Sequence, residues 1–178
     1  MAAAREYGVY IHAGSVTEEI PGEKQSYNTS VVIGPSGEIL AEYRKLHMFD
    51  ITLADGTPFL ESDKVRPGSE IVTVETELGV FGLSICYDIR FPELYRLMAL
   101  RGAQVIFVPA SFTMPTGKDH WEVLLRARAI ENGCYIVAPG TDWTETGVCG
   151  IRQQPGGRSV GNGDCTVKGC TGDHLCGD

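Results

Sequence analysis

A single cysteine lies at the junction between a buried strand and a helix in the segment Gly82–Arg96, GLSICYDIRFPELYR. Residues 80–85 are apolar enough for a fully buried strand, whereas residues 91–100 carry a helical apolar pattern that opens with Pro92. Cys86 is therefore expected near a helix N-terminus, where unpaired N–H groups and the helix dipole favour thiolate over thiol. Because most buried cysteines simply pack as small hydrophobes, the residues that accompany Cys86 decide its role.

The apolar patterns along the chain alternate between strands and helices of ordinary length, which indicates an α/β fold. Periodicity alone leaves a sandwich of sheets and a doubly wound sheet equally open. The loop-like segment 49–68 is long for a compact domain, and loops of that length are typically functional. Strands are predicted at residues 9–14, 26–33, 39–43, 71–76, 80–85, 105–109 and, as the last one, 134–138, and helices at 91–100 and about 118–132.

Two further segments accompany the cysteine: YRKLHMFD at Tyr43–Asp50 and HWEVLLRARAIEN at His120–Asn132. Together with the cysteine segment they resemble the carbon-nitrogen hydrolase (nitrilase) superfamily, and within it the Nit-type branch of omega-amidases and deaminated glutathione amidases. The resemblance covers about residues 2 to 140. It implies an α/β fold, a four-layer αββα sandwich of the nitrilase type that is incomplete at both ends here, and a homodimer in the full-length form.

The resemblance also implies a reaction, in which an amidase releases ammonia from a small carboxylate-bearing amide through a Cys thioester. Cys86 matches the family nucleophile, and Lys45 matches the lysine whose ammonium faces the thiolate and the developing oxyanion. Glu61 matches a second glutamate that holds this lysine charged and oriented. The backbone N–H of Tyr87 would be a second donor to the oxyanion.

Two residues are predicted to bind the substrate. Arg90 follows Cys86 by four residues, and a basic residue there in Nit-type amidases receives the substrate carboxylate, a task that suits a guanidinium. The competing interpretation of Arg90 is a structural ion pair with Asp88 or Glu93. Phe112, after the strand at 105–109, is predicted to wall the substrate pocket.

Both ends of the chain depart from the family pattern. Residues 2–10 resemble a passage that lies well inside a full-length member, so the general-base glutamate is missing from the pattern, and Glu6 does not match it. The chain is thus divided into a partial carbon-nitrogen hydrolase domain at 1–140 and a low-pattern tail at 141–178. Nine of the 38 tail residues are glycine. Reading the codons one nucleotide out of register can restore a family-like segment, which predicts a frame shift.

Composition narrows the possible partners. There are 15 Lys and Arg against 23 Asp and Glu, a net charge of −8, and no basic stripe tracks phosphates, which argues against nucleic acid. No apolar run approaches the roughly 20 residues that span a bilayer, and no signal-peptide core is visible, so no membrane partner and a cytoplasmic location are expected. The predicted partner is a small-molecule amide. The four cysteines of the tail match no common zinc spacing, so neither a metal site nor a cofactor is expected.

Two other interpretations remain open at this point. The chain could be a catalytically dead truncated paralogue that associates with an intact homologue, since the general base is missing. It could also be a nitrilase or carbamoylase of the same superfamily. With its first strand absent, it is expected to expose sheet edges and to oligomerise or aggregate.

Overall fold

Short strands and helices alternate along the part of the chain that the computed structural model describes, which is residues 1–52, 56–111, 120–141 and 146–151. The helices are α1 (Ala2–Tyr7), α2 (Pro92–Leu100) and α3 (Glu122–Asn132), with two 3₁₀ turns, η1 (Glu61–Asp63) and η2 (Cys86–Arg90). The strands are β1 (Ile11–Glu19), β2 (Ser26–Ile33), β3 (Ile39–Arg44), β4 (Asp50–Thr52), β5 (Pro58–Leu60), β6 (Thr73–Thr76), β7 (Gly79–Leu83), β8 (Val105–Phe107), β9 (Tyr135–Thr141) and β10 (Thr146–Ile151).

The strands form two main sheets and a small hairpin. The first sheet is antiparallel with the order β1-β2-β3. The second has the order β10-β9-β8-β7-β6, in which β7, β8 and β9 run parallel and the two outer strands run antiparallel to their neighbours. Parallel neighbours need long crossover connections. Here α2 lies between β7 and β8 in the chain, and α3 lies between β8 and β9.

Two apolar clusters hold these layers together. One joins the two sheets, with Val32 and Tyr43 of the first sheet against Phe81 and Leu83 of the second. The other joins the second sheet to the helices and includes buried residues of α2, α3, β8 and β9. Helices therefore cover one face of the five-stranded sheet and the antiparallel sheet covers the other. The described residues form an α/β sandwich of the predicted type, in which three of the four expected layers are evident.

Most predicted elements are confirmed, since β2, β3, β6, β7, β8 and both long helices lie where the apolar patterns place them. Pro92 is the first residue of α2, as its missing N–H favours. The segment 49–68 is not a plain loop, because it contains the β4–β5 hairpin and η1. The expectation that the last strand ends at 138 is wrong: β9 reaches Thr141, and β10 pairs with it through the backbone, which an apolar pattern does not report.

The segment after η1 runs close against the end of β3. Arg66 N donates to Ser26 O at 2.9 Å, and Gly68 N donates to Lys45 O at 2.8 Å. A Cβ on Gly68 would overlap the carbonyl oxygen and Cβ of Arg44. Only a residue without a side chain fits this approach, so the segment and the strand end are held together by their backbones.

Candidate active site

A cavity of about 260 Å³ lies where the carboxyl ends of β7 and β8 meet the end of the antiparallel sheet. Clefts at the carboxyl ends of parallel strands are the usual place for a ligand in α/β folds. Its walls combine a thiol, an ammonium and a carboxylate with several aromatic rings. The described lining residues are Ser15, Asn28, Lys45, Phe49, Phe59, Glu61, Ile85, Cys86, Tyr87, Pro109, Ala110 and Ser111.

Cys86 is the first residue of η2, which follows β7 after two extended residues. Its φ of 48° is the one positive value among the described residues other than glycine. Such a conformation costs about 1–3 kcal/mol and is often found at functional sites. Cys86 N donates to Pro109 O at 2.9 Å, which ties the turn to the segment after β8 and holds the side chain in the cavity wall.

The thiol of Cys86 does not have the lowered pKa expected from a helix N-terminus. Burial raises the pKa of the Cys86 thiol, while the nearby Lys45 ammonium and the N–H of Ser111 oppose that rise and the Glu61 carboxylate adds to it. The 3₁₀ turn η2 separates the cysteine from α2, so no long helix dipole points at the sulfur. The resting thiol is therefore protonated at neutral pH and needs a base to react.

Lys45 and Glu61 form the buried ion pair that the sequence predicts. Lys45 is only 2% exposed, and its Nζ donates to Glu61 Oε2 at 2.5 Å. The same carboxylate oxygen accepts the N–H of Phe49 at 2.6 Å. A buried ammonium is costly unless it is paired, and the Glu61 carboxylate supplies the partner charge for Lys45. The structure thus brings the three predicted catalytic side chains together in one cavity.

The other predicted site residues have different positions. Tyr87 lines the cavity and is the second residue of η2, where a backbone N–H has no acceptor within its own turn. Arg90 is not among the described lining residues. Its Nη2 lies 3.1 Å from Nδ1 of His120, and its guanidinium lies 5.7 Å from the centre of the Tyr87 ring. Phe112 lies outside the described residues.

Asp88 was missed as part of the site by the sequence analysis. It is fully buried, and its two oxygens accept four hydrogen bonds from Tyr43, His47 and Ile85. His47 also stacks on Phe91 with 3.6 Å between ring centres. The only available signal was an aspartate in an otherwise apolar strand-to-helix junction, because Tyr43 and His47 lie 45 and 41 residues away in the sequence.

Other contacts fix the turn from the opposite side. Arg128 of α3 is buried, and its Nε donates to Ile89 O at 2.9 Å. Its Nη1 donates to Glu131 at 2.8 Å, an i, i+3 pair within α3. Trp121 packs against the core cluster of the helices.

The sequence analysis also missed the polar residues of the antiparallel sheet that face the cavity. Ser15 follows a β-bulge in β1, and Asn28 of β2 accepts the N–H of Lys45 through its carbonyl at 2.9 Å. Phe49 and Phe59 add an aromatic wall, with 5.7 Å between their ring centres. Nothing in the local pattern of β1 or β2 separates these residues from an ordinary sheet surface.

Comparison with known proteins identifies the class to which this fold and site belong. The family model for carbon-nitrogen hydrolases matches residues 1–161, so the match reaches into the segment predicted to be a tail. The chain belongs to the carbon-nitrogen hydrolase family. This confirms the resemblance seen in the three sequence segments.

Amidases are among the relatives by sequence. The chain is 50% identical to the deaminated glutathione amidase of Synechocystis over 139 residues, which cover 76% of the chain and 51% of that protein. It is 44% identical to the human omega-amidase over 133 residues, which cover 75% of the chain and 48% of that protein. The chain therefore spans about half the length of the curated relatives it matches.

Solved structures share the fold. The NitFhit protein of Caenorhabditis elegans matches with a TM-score of 0.74 and 42% identity, over 78% of this chain and 34% of that one. A Glu-to-Gln mutant of the amidase from Nesterenkonia sp. AN1 matches with a TM-score of 0.69 and 27% identity, over 85% and 56% of the two chains. In that mutant the acetamide moiety of fluoroacetamide is covalently attached to the active-site cysteine.

The described residues provide neither a membrane-spanning helix nor a cluster of metal ligands. No described helix is long and apolar enough to cross a membrane. In the same part of the chain, no group of three or more His, Cys, Asp and Glu side chains is arranged to hold a metal ion. Cys165, Cys170, Cys176 and His174 of the predicted tail lie outside the described residues.

Proposed function

We propose that this chain carries the nucleophilic half of an amidase that hydrolyses a small carboxylate-bearing amide through a thioester on Cys86. The observation that carries the proposal is the buried Lys45–Glu61 pair, which shares one cavity with the thiol of Cys86. A buried ammonium beside a strained cysteine has no obvious value for packing, since apolar residues would fill the same space at lower cost.

The chemistry follows from the order in which charge develops. Cys86 loses its thiol proton to a base and its sulfur bonds to the amide carbon, which places negative charge on the carbonyl oxygen. The Lys45 ammonium and the N–H of Tyr87 would stabilise that oxyanion. The C–N bond then breaks as the nitrogen takes up the proton, and ammonia leaves a thioester on Cys86. Water attacks the thioester and releases the acid and the thiol.

The substrate class is inferred from size, charge and the nature of the relatives. A cavity of about 260 Å³ suits a small molecule, and its aromatic wall of Phe49, Phe59 and Tyr87 suits a short carbon chain. Arg90, whose guanidinium lies 5.7 Å from the centre of the ring of the lining residue Tyr87, is proposed to receive the substrate carboxylate. Phe112 is proposed to complete the wall. The human relative is an omega-amidase, in keeping with an amide that also bears an acid.

The proposed reaction needs a group that accepts the proton of the Cys86 thiol. Glu61 is the one carboxylate among the described lining residues, and its Oε2 already accepts from both Lys45 and Phe49. That oxygen must release its donors before it can take up a proton. This observation favours a second candidate function, in which the chain keeps the fold but is inactive alone and associates with an intact homologue.

Assembly and location complete the proposal. Large apolar side chains are exposed on α2 and α3, including Leu97, Leu100, Val123 and Ile130. We expect this helical face to pair two copies in a homodimer, as light scattering during size-exclusion chromatography would show. The proposed place of action is the cytoplasm.

Ammonia release from succinamate is the direct test, with butyramide as the matched amide that lacks a carboxylate. The active amidase should release ammonia from succinamate faster than from butyramide, and Cys86→Ser should abolish both. p-Nitrophenyl acetate provides a second test, because its leaving group needs no proton. Peptide mass mapping should find the acetyl group on Cys86.

The two tests separate the alternatives. Acetylation of Cys86 without ammonia release would support the second candidate function, in which the base is supplied from elsewhere. Absence of both acetylation and ammonia release would refute the assignment of Cys86 as a nucleophile. Equal rates with succinamate and butyramide would refute recognition of the carboxylate.

A further inference from the structure

Asp88 is the most thoroughly bonded side chain next to the proposed nucleophile. It is completely buried. Its Oδ2 accepts from the hydroxyl of Tyr43 at 2.7 Å and from the N–H of Ile85 at 2.8 Å. Its Oδ1 accepts from both the backbone N–H of His47 at 3.0 Å and the ring Nδ1 of His47 at 2.8 Å.

These partners flank the two reactive side chains. Tyr43 and His47 lie two residues before and two residues after Lys45, while Ile85 immediately precedes Cys86. One carboxylate therefore bonds both the segment that carries the ammonium and the turn that carries the thiol. The two segments follow strands of different sheets, β3 and β7.

We propose that Asp88 is a positioning residue, which sets the Lys45 ammonium against the sulfur of Cys86 by holding the two segments in one fixed arrangement. The inference rests on the proposed function, because it concerns the geometry of the same site. It does not give Asp88 a role in the chemical steps, since its oxygens face Tyr43, His47 and Ile85 rather than the cavity.

A carboxylate suits this position better than any neutral side chain. All four bonds are donated to Asp88, and an ionised carboxylate accepts at both oxygens. An asparagine has one accepting oxygen and one NH₂ group, so at least one partner would face a donor. Each partner left without an acceptor at this buried site destabilises the arrangement. The strained backbone of Cys86 then has less to hold it in place.

Charge and position affect the thiol in opposite directions, which makes the proposal testable. As a nearby negative charge, Asp88 raises the pKa of Cys86, as does Glu61, whereas the Lys45 ammonium lowers it. Removal of the Asp88 charge alone would therefore make the thiol more acidic. If Asp88 also positions Lys45, its removal takes the ammonium away from the sulfur, and the thiol becomes less acidic.

The experiment measures alkylation of Cys86 by iodoacetamide across pH in the full chain, with the modified peptide quantified by mass spectrometry. Asp88→Asn should shift the alkylation profile upward by about half a pH unit, which slows the reaction about threefold on the acidic side of the profile. Lys45→Gln provides the reference for complete loss of the ammonium and should shift the profile in the same direction. A downward shift or no shift in Asp88→Asn would overturn the proposal.

Tyr43→Phe keeps the proposal testable if Asp88→Asn does not fold. This variant removes one of the four donors without changing the charge, and it should give a smaller upward shift. An unchanged profile in a folded Tyr43→Phe chain would also count against the proposal. Failure of the proposed function is distinct from these results, because Cys86 would then react with the same profile in wild type and Lys45→Gln.

Discussion

His12 is a partly buried histidine whose protonation is expected to destabilise the sandwich. It lies on β1, where its Nε2 is 2.8 Å from Ser30 Oγ and its ring stacks on Phe107 with 4.3 Å between centres. Burial lowers the pKa of His12 from 6.5 to about 4. The native state therefore holds the neutral ring, and Ser30 provides the one polar contact that the structure gives its imidazole.

The sign of the pH effect follows from this lowered pKa. Below pH 6.5 the unfolded chain binds a proton at His12 that the native chain does not bind. The free energy of unfolding therefore falls as the pH drops from about 6.5 to about 4. The gap of about 2.5 pH units corresponds to about 3 kcal/mol when complete. At pH 5 the expected loss is about 2 kcal/mol, a large part of the 5–15 kcal/mol that stabilises a typical domain.

Urea unfolding at pH 7.5 and pH 5 measures this loss, with His12→Gln as the comparison. Glutamine can still hydrogen-bond to Ser30 and does not titrate. The wild-type free energy of unfolding should fall by about 2 kcal/mol more than that of the variant between the two pH values. His120→Gln, at an exposed position, should behave as wild type. Equal losses in wild type and His12→Gln would refute the reasoning.

Three further outcomes are expected. Glu61→Gln leaves the Lys45 ammonium without its carboxylate partner, and this loss should outweigh the removal of a charge that raises the pKa of Cys86, so the alkylation profile of Cys86 should move to higher pH; a move to lower pH would contradict the pairing role of Glu61. Arg128→Met leaves a buried carbonyl of η2 without its donor and should lower the free energy of unfolding by about 1–3 kcal/mol. Its matched control, Arg126→Met, loses an exposed i, i+4 pair and should change it by less than about 0.5 kcal/mol in urea titrations. Burial raises the pKa of Cys134 to about 11, so iodoacetamide at pH 8 should label it only when the chain unfolds, as peptide mapping with and without urea would show.

Apolar patterns and turn residues in the sequence correctly predicted the helices and strands whose signals are local. The helix at Pro92 begins where proline favours it, and the apolar run before Cys86 is the buried strand β7. The resemblance to the family predicted that Lys45, Glu61 and Cys86 share one site, and all three line the same cavity. The signals for the helix and for the strand lay within a few residues of each element.

Features that depend on distant partners were not predictable in this way. The contacts of Asp88 join residues about 40 positions apart, and β10 exists through pairing with β9 rather than through its own glycine-rich sequence. The raised pKa of the Cys86 thiol was not predicted, because it is caused mainly by burial, which the sequence does not display.

Gly68 lies outside the cavity, yet its backbone approaches Arg44 so closely that no side chain fits at this position. Any side chain there would displace the backbone of Arg44, and that displacement would pass directly to Lys45, whose carbonyl accepts the N–H of Gly68. The segment with Gly68 also follows the turn that holds Glu61, so both members of the ion pair would move together. The geometry of the ion pair thus depends on the absence of a side chain at residue 68, although that residue does not line the cavity.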